Sequence, residues 1–161
     1  MLQKLKKKIK DQRGMTLIEL LAVIVILGII SAIAIPSILG LIENSKKDAH
    51  VANAQQIINS AKLAVAGDET LRPTPPVAPA TASTPKIILV SDLVAKGYLE
   101  TIEDPDGGGS YDAASAVIVS ESGNKYSYSI FLDGSKRKIG TAATVAGSIT
   151  ESGLKRSIVT P

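Results

Sequence analysis

A run of 23 residues without a charge, Leu20 to Ile42, constrains this chain more than any other feature of its sequence. An α-helix rises about 1.5 Å per residue, so the run is long enough to cross the roughly 30 Å hydrocarbon core of a bilayer. Pro36 interrupts it, and its missing N–H predicts a kink or a locally melted turn. The sequence therefore predicts a membrane-spanning helix followed by a small water-exposed domain.

The charges before this run are almost all positive. Residues 1–14 contain six Lys or Arg and one acid, Asp11, whereas the remainder contains 12 basic and 14 acidic residues, a side-chain charge of −2. Basic residues beside an apolar span keep that end cytoplasmic, and they attract anionic lipid headgroups. An acidic remainder with five aromatic residues argues against general nucleic-acid binding, although the basic run 136–138 allows weak contact.

Three interpretations fit residues 1–42. A secretory signal peptide has a basic start and an apolar core, and Ala32-Ile33-Ala34 resembles its cleavage site, but the apolar run is too long for a typical signal peptide. A plain membrane anchor fits the hydropathy but gives no reason for Gly14 or for Glu19, because a carboxylate in a bilayer costs about 2.5–3.5 kcal/mol without a partner. A third interpretation accounts for both Gly14 and Glu19.

The segment Gly14-Met15-Thr16-Leu17-Ile18-Glu19, followed by the apolar run and Pro36, resembles the N-terminus of type IV pilins and pseudopilins. The resemblance implies cleavage by a prepilin peptidase between Gly14 and Met15 and methylation of the new amine of Met15. It also implies that Thr16 and Glu19 act in assembly and register, with the Glu19 carboxylate facing the amine of a neighbouring subunit, and that Pro36 interrupts the helix.

The function implied is that of a structural subunit of a type IV pilus-like filament. The implied partners are further copies of the chain, the prepilin peptidase, the assembly platform with its motor ATPase, and membrane lipid before assembly. The subunit would first span the cytoplasmic membrane once and then enter an extracellular filament. The alternatives are a pseudopilin of a type II secretion system, or a competence or minor pilin involved in DNA uptake.

The residue inventory argues against an enzyme. The chain has no cysteine and a single histidine, which excludes disulfides, thiolate catalysis and cysteine-ligated zinc. It also lacks the Gly-rich lysine loop that binds nucleotides. We therefore expect no catalytic residues and no cofactor.

The expected fold is α+β, with a long N-terminal helix packed against an antiparallel sheet of about three or four strands. The helix should run from about Thr16 to Ala66, because Val51, Ala54, Ile58, Ala61 and Val65 form an apolar stripe in its second half. The chain is divided into a removable leader at 1–14, a membrane and fibre-core helix at 15–42, and a globular domain at 43–161. The globular domain comprises the amphipathic helix at 43–66, the connecting region at 67–115, and the sheet and C-terminal tail at 116–161.

Apolar and alternating segments predict the strands. Segment 87–90 is predicted to be a short strand or an extended run, followed by a short helix capped by Ser91. The remaining strands are predicted at 116–120, 126–132, 136–139 and 154–159. A proline-rich connection at 72–85 precedes segment 87–90, and Ser122-Gly123-Asn124 predicts a hairpin.

The glycine-rich segment 104–112 is the one place where an ion is considered. Asp104, Asp106 and Asp112 are weak calcium candidates, since some pseudopilins hold calcium in this general region, but the spacing does not fit an EF-hand. An ordinary turn with no metal is the preferred interpretation. His50 is expected to be a solvated or interface side chain.

Overall fold

The computed structural model describes residues 17–74, 83–122 and 125–161. Two compact units divide the chain between Ile42 and Glu43. The described part of the first unit is helical and belongs to α1, which spans Leu17–Gly67. The helix continues through Pro36, so the alternative of a locally melted turn is wrong.

The second unit begins with the C-terminal part of α1, which buries one stripe of side chains. The buried apolar residues lie three or four positions apart, as expected for one helix face: Ala54, Ile57, Ile58, Ala61, Ala64 and Val65. The helix ends one residue beyond the expected Ala66. Arg72 donates hydrogen bonds to the carbonyl oxygens of Val65 and Ala66 at 3.1 and 3.3 Å, which satisfies acceptors that the last turn leaves open.

Six antiparallel strands follow in the described part of the second unit. They are β1 (Lys86–Leu89), β2 (Ala116–Ser122), β3 (Lys125–Asp133), β4 (Lys138–Ile139), β5 (Ile149–Thr150) and β6 (Val159–Thr160). The spatial order is β1-β2-β3-β4-β6, and β5 pairs with β3. The β2–β3 register runs from Ala116 opposite Phe131 to Ser122 opposite Lys125, as expected for a hairpin, and residues 123–124 lie outside the described chain.

The sheet is larger than the three or four strands expected. Strand β1 forms one edge of the sheet through its pairing with β2. Strand β5 consists of two residues that form a strand because they pair with β3. A short helix, α2 (Val90–Ala95), follows β1, and its N-cap is Leu89 rather than the predicted Ser91. Short 3₁₀ helices occur at Glu69–Leu71, Glu151–Gly153 and Arg156–Ile158.

The hydrophobic core lies between the stripe of α1 and one face of the sheet. Val117 and Val119 on β2 and Ile130 and Leu132 on β3 are fully buried against that stripe. Alternate residues of a strand point to the same face, so the predicted alternation along β3 places Ile130 and Leu132 together. The second unit is thus a two-layer α+β domain, as the sequence predicts.

Candidate functional site

The first candidate site is the apolar part of α1 between Leu17 and Ile42. Its 17 large apolar side chains are between 44% and 82% exposed, and an 18-residue window of the helix has a mean hydropathy of 2.9 with no residue buried. By length and composition this helix is able to cross a membrane. Fully burying a side chain of this kind is worth about 1.5–3 kcal/mol, so half-burying the whole set favours an apolar environment by on the order of 20 kcal/mol.

Glu19 lies in the first turn of the described helix, on the exposed surface. An acid at this position is stabilised by the partial positive charge of a helix N-terminus. Beside Pro36, the Ser37 hydroxyl donates a hydrogen bond to the carbonyl oxygen of Ile33 at 3.3 Å, four residues back along the helix. The apolar segment therefore combines one carboxylate near its start with one proline that the helix accommodates.

A second candidate site is a buried charge cluster made of His50, Asp104, Asp106 and Arg137. Three parts of the second unit supply it: α1, the turn between Glu103 and Ser110, and the connection from β3 to β4. The turn is closed by an antiparallel bridge between Glu103 and Ser110 and by a hydrogen bond from the Asp104 N–H to the Gly109 carbonyl at 2.8 Å. Gly107 and Gly109 adopt φ values of 77° and 88°, which favour glycine.

The imidazole of His50 is 1% exposed and uses both of its nitrogens. Nδ1 lies 2.9 Å from the hydroxyl of Tyr111, and Nε2 lies 3.1 Å from Asp106 Oδ2 and 3.5 Å from Asp104 Oδ1. The side-chain amide of Asn53 donates to the Tyr111 hydroxyl at 3.1 Å. The Tyr111 hydroxyl accepts from Asn53 and is able to donate its own proton to Nδ1, while Nε2 faces the two carboxylates.

Arg137 brings a positive charge to the other side of the cluster. Its guanidinium pairs with the carboxylates of Asp106 and Glu43, and the ammonium of Lys46 lies 3.5 Å from Asp106 Oδ1. The Asp106 side chain is 1% exposed, whereas that of Glu43 is 56% exposed. The cluster therefore ties the C-terminal part of α1 to two loops of the sheet through charges removed from solvent.

The hydrogen bonds of Asp104 outweigh the cost of burying it. Burial raises the pKa of this carboxyl, but N–H donors lower it further, so the net pKa lies below the usual range. The donors are the backbone N–H groups of Asp106 at 2.9 Å and Ser135 at 2.6 Å. Asp106 behaves in the same way: burial raises its pKa, and contacts with His50 and Arg137 bring it below the usual value.

The pKa of Tyr111 is shifted upwards, in contrast to the pKa values of the two aspartates. Burial of its hydroxyl, together with the nearby charges of Asp104 and Asp106, outweighs the hydrogen bond from Asn53 and raises the pKa of Tyr111 to about 12. Tyr111 therefore stays neutral and keeps its hydroxyl proton far above neutral pH.

The structure brings together two of the three aspartates that the sequence marks as calcium candidates. Asp112 takes no part in the buried charge cluster: its side chain accepts a hydrogen bond from the Ala114 N–H at 2.8 Å. The prediction of a solvated or interface His50 is wrong as to solvation, because the ring is buried. In the sequence Arg137 stands within a basic run, and no local pattern reveals its contacts with residues 31 and 94 positions away.

Comparison with protein-family models gives a match in the N-terminal part of the chain. The family model for the prokaryotic N-terminal methylation motif matches residues 9–35. The chain carries the prepilin signature of type IV pilins and pseudopilins. Comparison with curated proteins and with solved structures finds no significant match.

The prepilin signature covers the predicted cleavage and methylation positions. It implies processing by a prepilin peptidase and pilus-type assembly in general, and it fits a membrane-anchored precursor that enters a surface filament. Of the residues predicted to act there, Glu19 is placed in α1, whereas Gly14, Met15 and Thr16 lie outside the described residues. Pro36 directly follows the matched segment.

Proposed function

We propose that this protein is a structural subunit of a type IV pilus-like filament. The observation that carries the proposal is the methylation motif at residues 9–35, together with the overlapping apolar helix whose large side chains are exposed from Leu17 to Ile42. A surface of this kind requires lipid or other apolar helices around it. Membrane anchoring before assembly and helix bundling within a filament supply these two environments in turn.

Processing explains why an acid is placed near the start of an apolar helix. Cleavage between Gly14 and Met15 creates a positive amine, and methylation of that amine retains its charge. In a helical array of subunits the amine of one copy approaches the Glu19 carboxylate of its neighbour. Each charge alone is costly in apolar surroundings, so pairing them neutralises both and sets the axial register.

Intact-mass and N-terminal analysis of purified filaments tests the proposed processing. We expect a chain that begins at Met15 and carries one methyl group on its amine. A product that begins beyond Ala34 would indicate signal-peptide cleavage, and a filament subunit that retains residues 1–14 would contradict prepilin processing.

Substitution of Glu19 tests the proposed pairing. Glu19→Ala should leave cleavage largely intact but reduce incorporation into filaments, as measured by immunoblotting of sheared surface fractions against the membrane fraction. Ser37→Ala is the matched control, because it removes an exposed polar group from the same helix without changing its charge. Normal filaments from Glu19→Ala would show that the carboxylate is not needed for register.

The surroundings of the basic run 136–138 argue against a role in DNA capture. Arg137 is 9% exposed and pairs with two carboxylates, and the Lys138 ammonium lies 2.9 Å from Asp133. We therefore expect negligible, salt-independent retention of DNA in filter binding.

Abundance in sheared surface filaments distinguishes a pilus subunit from a pseudopilin of a secretion system.

A further inference from the structure

The buried charge cluster has the donor set and the spacing of a metal site. We propose that His50, Asp104 and Asp106 bind one divalent transition-metal ion, and that zinc matches the site best. One ligand atom from each of the three side chains lies within 4.8 Å of the other two. The proposal concerns the second unit alone and is independent of filament assembly.

Two of the three distances between the ligand atoms fit tetrahedral coordination. Zinc lies about 2.0–2.1 Å from nitrogen and oxygen ligands, so neighbouring ligand atoms of a tetrahedral site are about 3.3 Å apart. His50 Nε2 lies 3.1 Å from Asp106 Oδ2 and 3.5 Å from Asp104 Oδ1, which brackets this value. Three protein ligands leave the fourth position for water.

The contacts around the ligands are those that orient a metal site. Metal-binding histidines generally use their second ring nitrogen in a hydrogen bond, and ligating carboxylates are hydrogen-bonded in turn. His50 Nδ1 lies 2.9 Å from the Tyr111 hydroxyl, and Asp104 Oδ2 accepts from the Ser135 N–H at 2.6 Å. With an ion bound, the imidazole takes the tautomer in which Nδ1–H donates to Tyr111 and Nε2 is left to ligate.

The charge balance also leaves room for a cation. The three carboxylates of Glu43, Asp104 and Asp106 outnumber the two cationic side chains that face them, Lys46 and Arg137. The Lys46 side chain is 32% exposed and lies 3.5 Å from Asp106, so it can turn towards solvent when an ion enters.

The donor chemistry distinguishes this site from a calcium site. Calcium takes six to eight oxygen ligands, whereas this cluster offers two carboxylates and an imidazole nitrogen, and Asp112 is engaged elsewhere. Imidazole suits zinc, copper, iron and nickel. A bound ion would link the turn at 103–110 to α1 through His50.

Zinc titration of the full-length chain tests the proposal. The protein is purified in detergent without a histidine tag, stripped with a chelator, and titrated with zinc by calorimetry. The sequence contains one histidine, so long-range ¹H–¹⁵N NMR of the imidazole reports on His50 alone. We expect one zinc per chain and a shift of the Nε2 resonance on binding, with calcium causing no such shift.

Three variants complete the test. Asp104→Asn should weaken zinc binding by at least about 10-fold, and Tyr111→Phe, which removes the partner of Nδ1, should weaken it by about 10-fold. Asp112→Asn is the matched control, a carboxylate in the same region but outside the cluster, and should bind as the wild type does. The proposal is overturned if wild-type zinc binding leaves the Nε2 resonance unmoved, if no zinc binds, or if a folded Asp104→Asn protein retains wild-type affinity.

Discussion

Replacing Arg137 with methionine tests how far the buried charge cluster stabilises the second unit. The guanidinium pairs with the carboxylates of Asp106 and Glu43. Methionine is a long, uncharged side chain, so it removes both pairs while keeping much of the packing. The Asp106 carboxylate, with 1% of its side chain exposed, then loses a cationic partner and cannot recover the interaction from water.

The magnitude follows from what Asp106 retains. Leaving a buried charge without its partner costs about 3–5 kcal/mol. Asp106 keeps His50 Nε2 at 3.1 Å and the Lys46 ammonium at 3.5 Å, so we expect a loss of about 2–3 kcal/mol in the free energy of unfolding. The Glu43 side chain is 56% exposed and is hydrated once its partner is removed, so its contribution to the loss in the free energy of unfolding is small. For a domain of this size the melting temperature should fall by roughly 10 °C.

Thermal unfolding of the full-length chain in detergent, followed by the near-ultraviolet circular dichroism of its tyrosines, measures this effect. The matched control is Arg156→Met, which removes an ion pair with Asp48 in which both side chains are 51% exposed and which should matter little. Adding Asp106→Asn to Arg137→Met should recover part of the loss, because it removes the uncompensated charge. A melting temperature for Arg137→Met no lower than that of Arg156→Met would refute the reasoning.

Three further predictions concern stability. The folded-state pKa of Asp104 lies below its ordinary value of about 3.9. Its contribution to the free energy of unfolding is therefore present above that pH and is lost as the pH falls through the folded-state pKa. In urea unfolding between about pH 2 and 5, the free energy of unfolding of Asp104→Asn should fall less steeply with decreasing pH than that of the wild type. Ile58→Ala, at a fully buried position, should cost about 2–5 kcal/mol in urea unfolding, whereas Leu63→Ala, at a position 66% exposed on the same helix, should cost far less. Gly140→Ala should lower the melting temperature more than Gly97→Ala, since both residues have positive φ but only at Gly140 would a Cβ lie 2.6 Å from a backbone oxygen.

Much of the fold can be predicted because local sequence determines it. The apolar stripe of α1 and the alternation along β3 arise from the periods of helix and strand, so Ile58 and Ile130 are identifiable as core residues. Strand β5 contains two residues and pairs with a strand about 20 residues earlier in the chain. Segments this short become strands through tertiary pairing, which local propensity does not encode.

The two candidate sites differ in the same way. The prepilin signature is contiguous, so residues 9–35 reveal it without any structure. The buried charge cluster joins His50 to a turn more than 50 residues later and to Arg137 beyond it. Asp104 and Asp106 attract attention because they are acids in a glycine-rich turn, but His50 becomes a candidate ligand only when the fold buries it beside them.

The apolar surfaces of the two units are covered in different ways. Substitutions in the two units should therefore change different properties of the protein. In the second unit, the stripe of α1 at 54–65 is covered by β2 and β3, so changes there alter the free energy of unfolding. The large side chains from Leu17 to Ile42 are exposed, so their surroundings must come from lipid or from other chains. Substitutions in that segment should therefore act mainly on membrane insertion and assembly, while the second unit keeps its melting temperature.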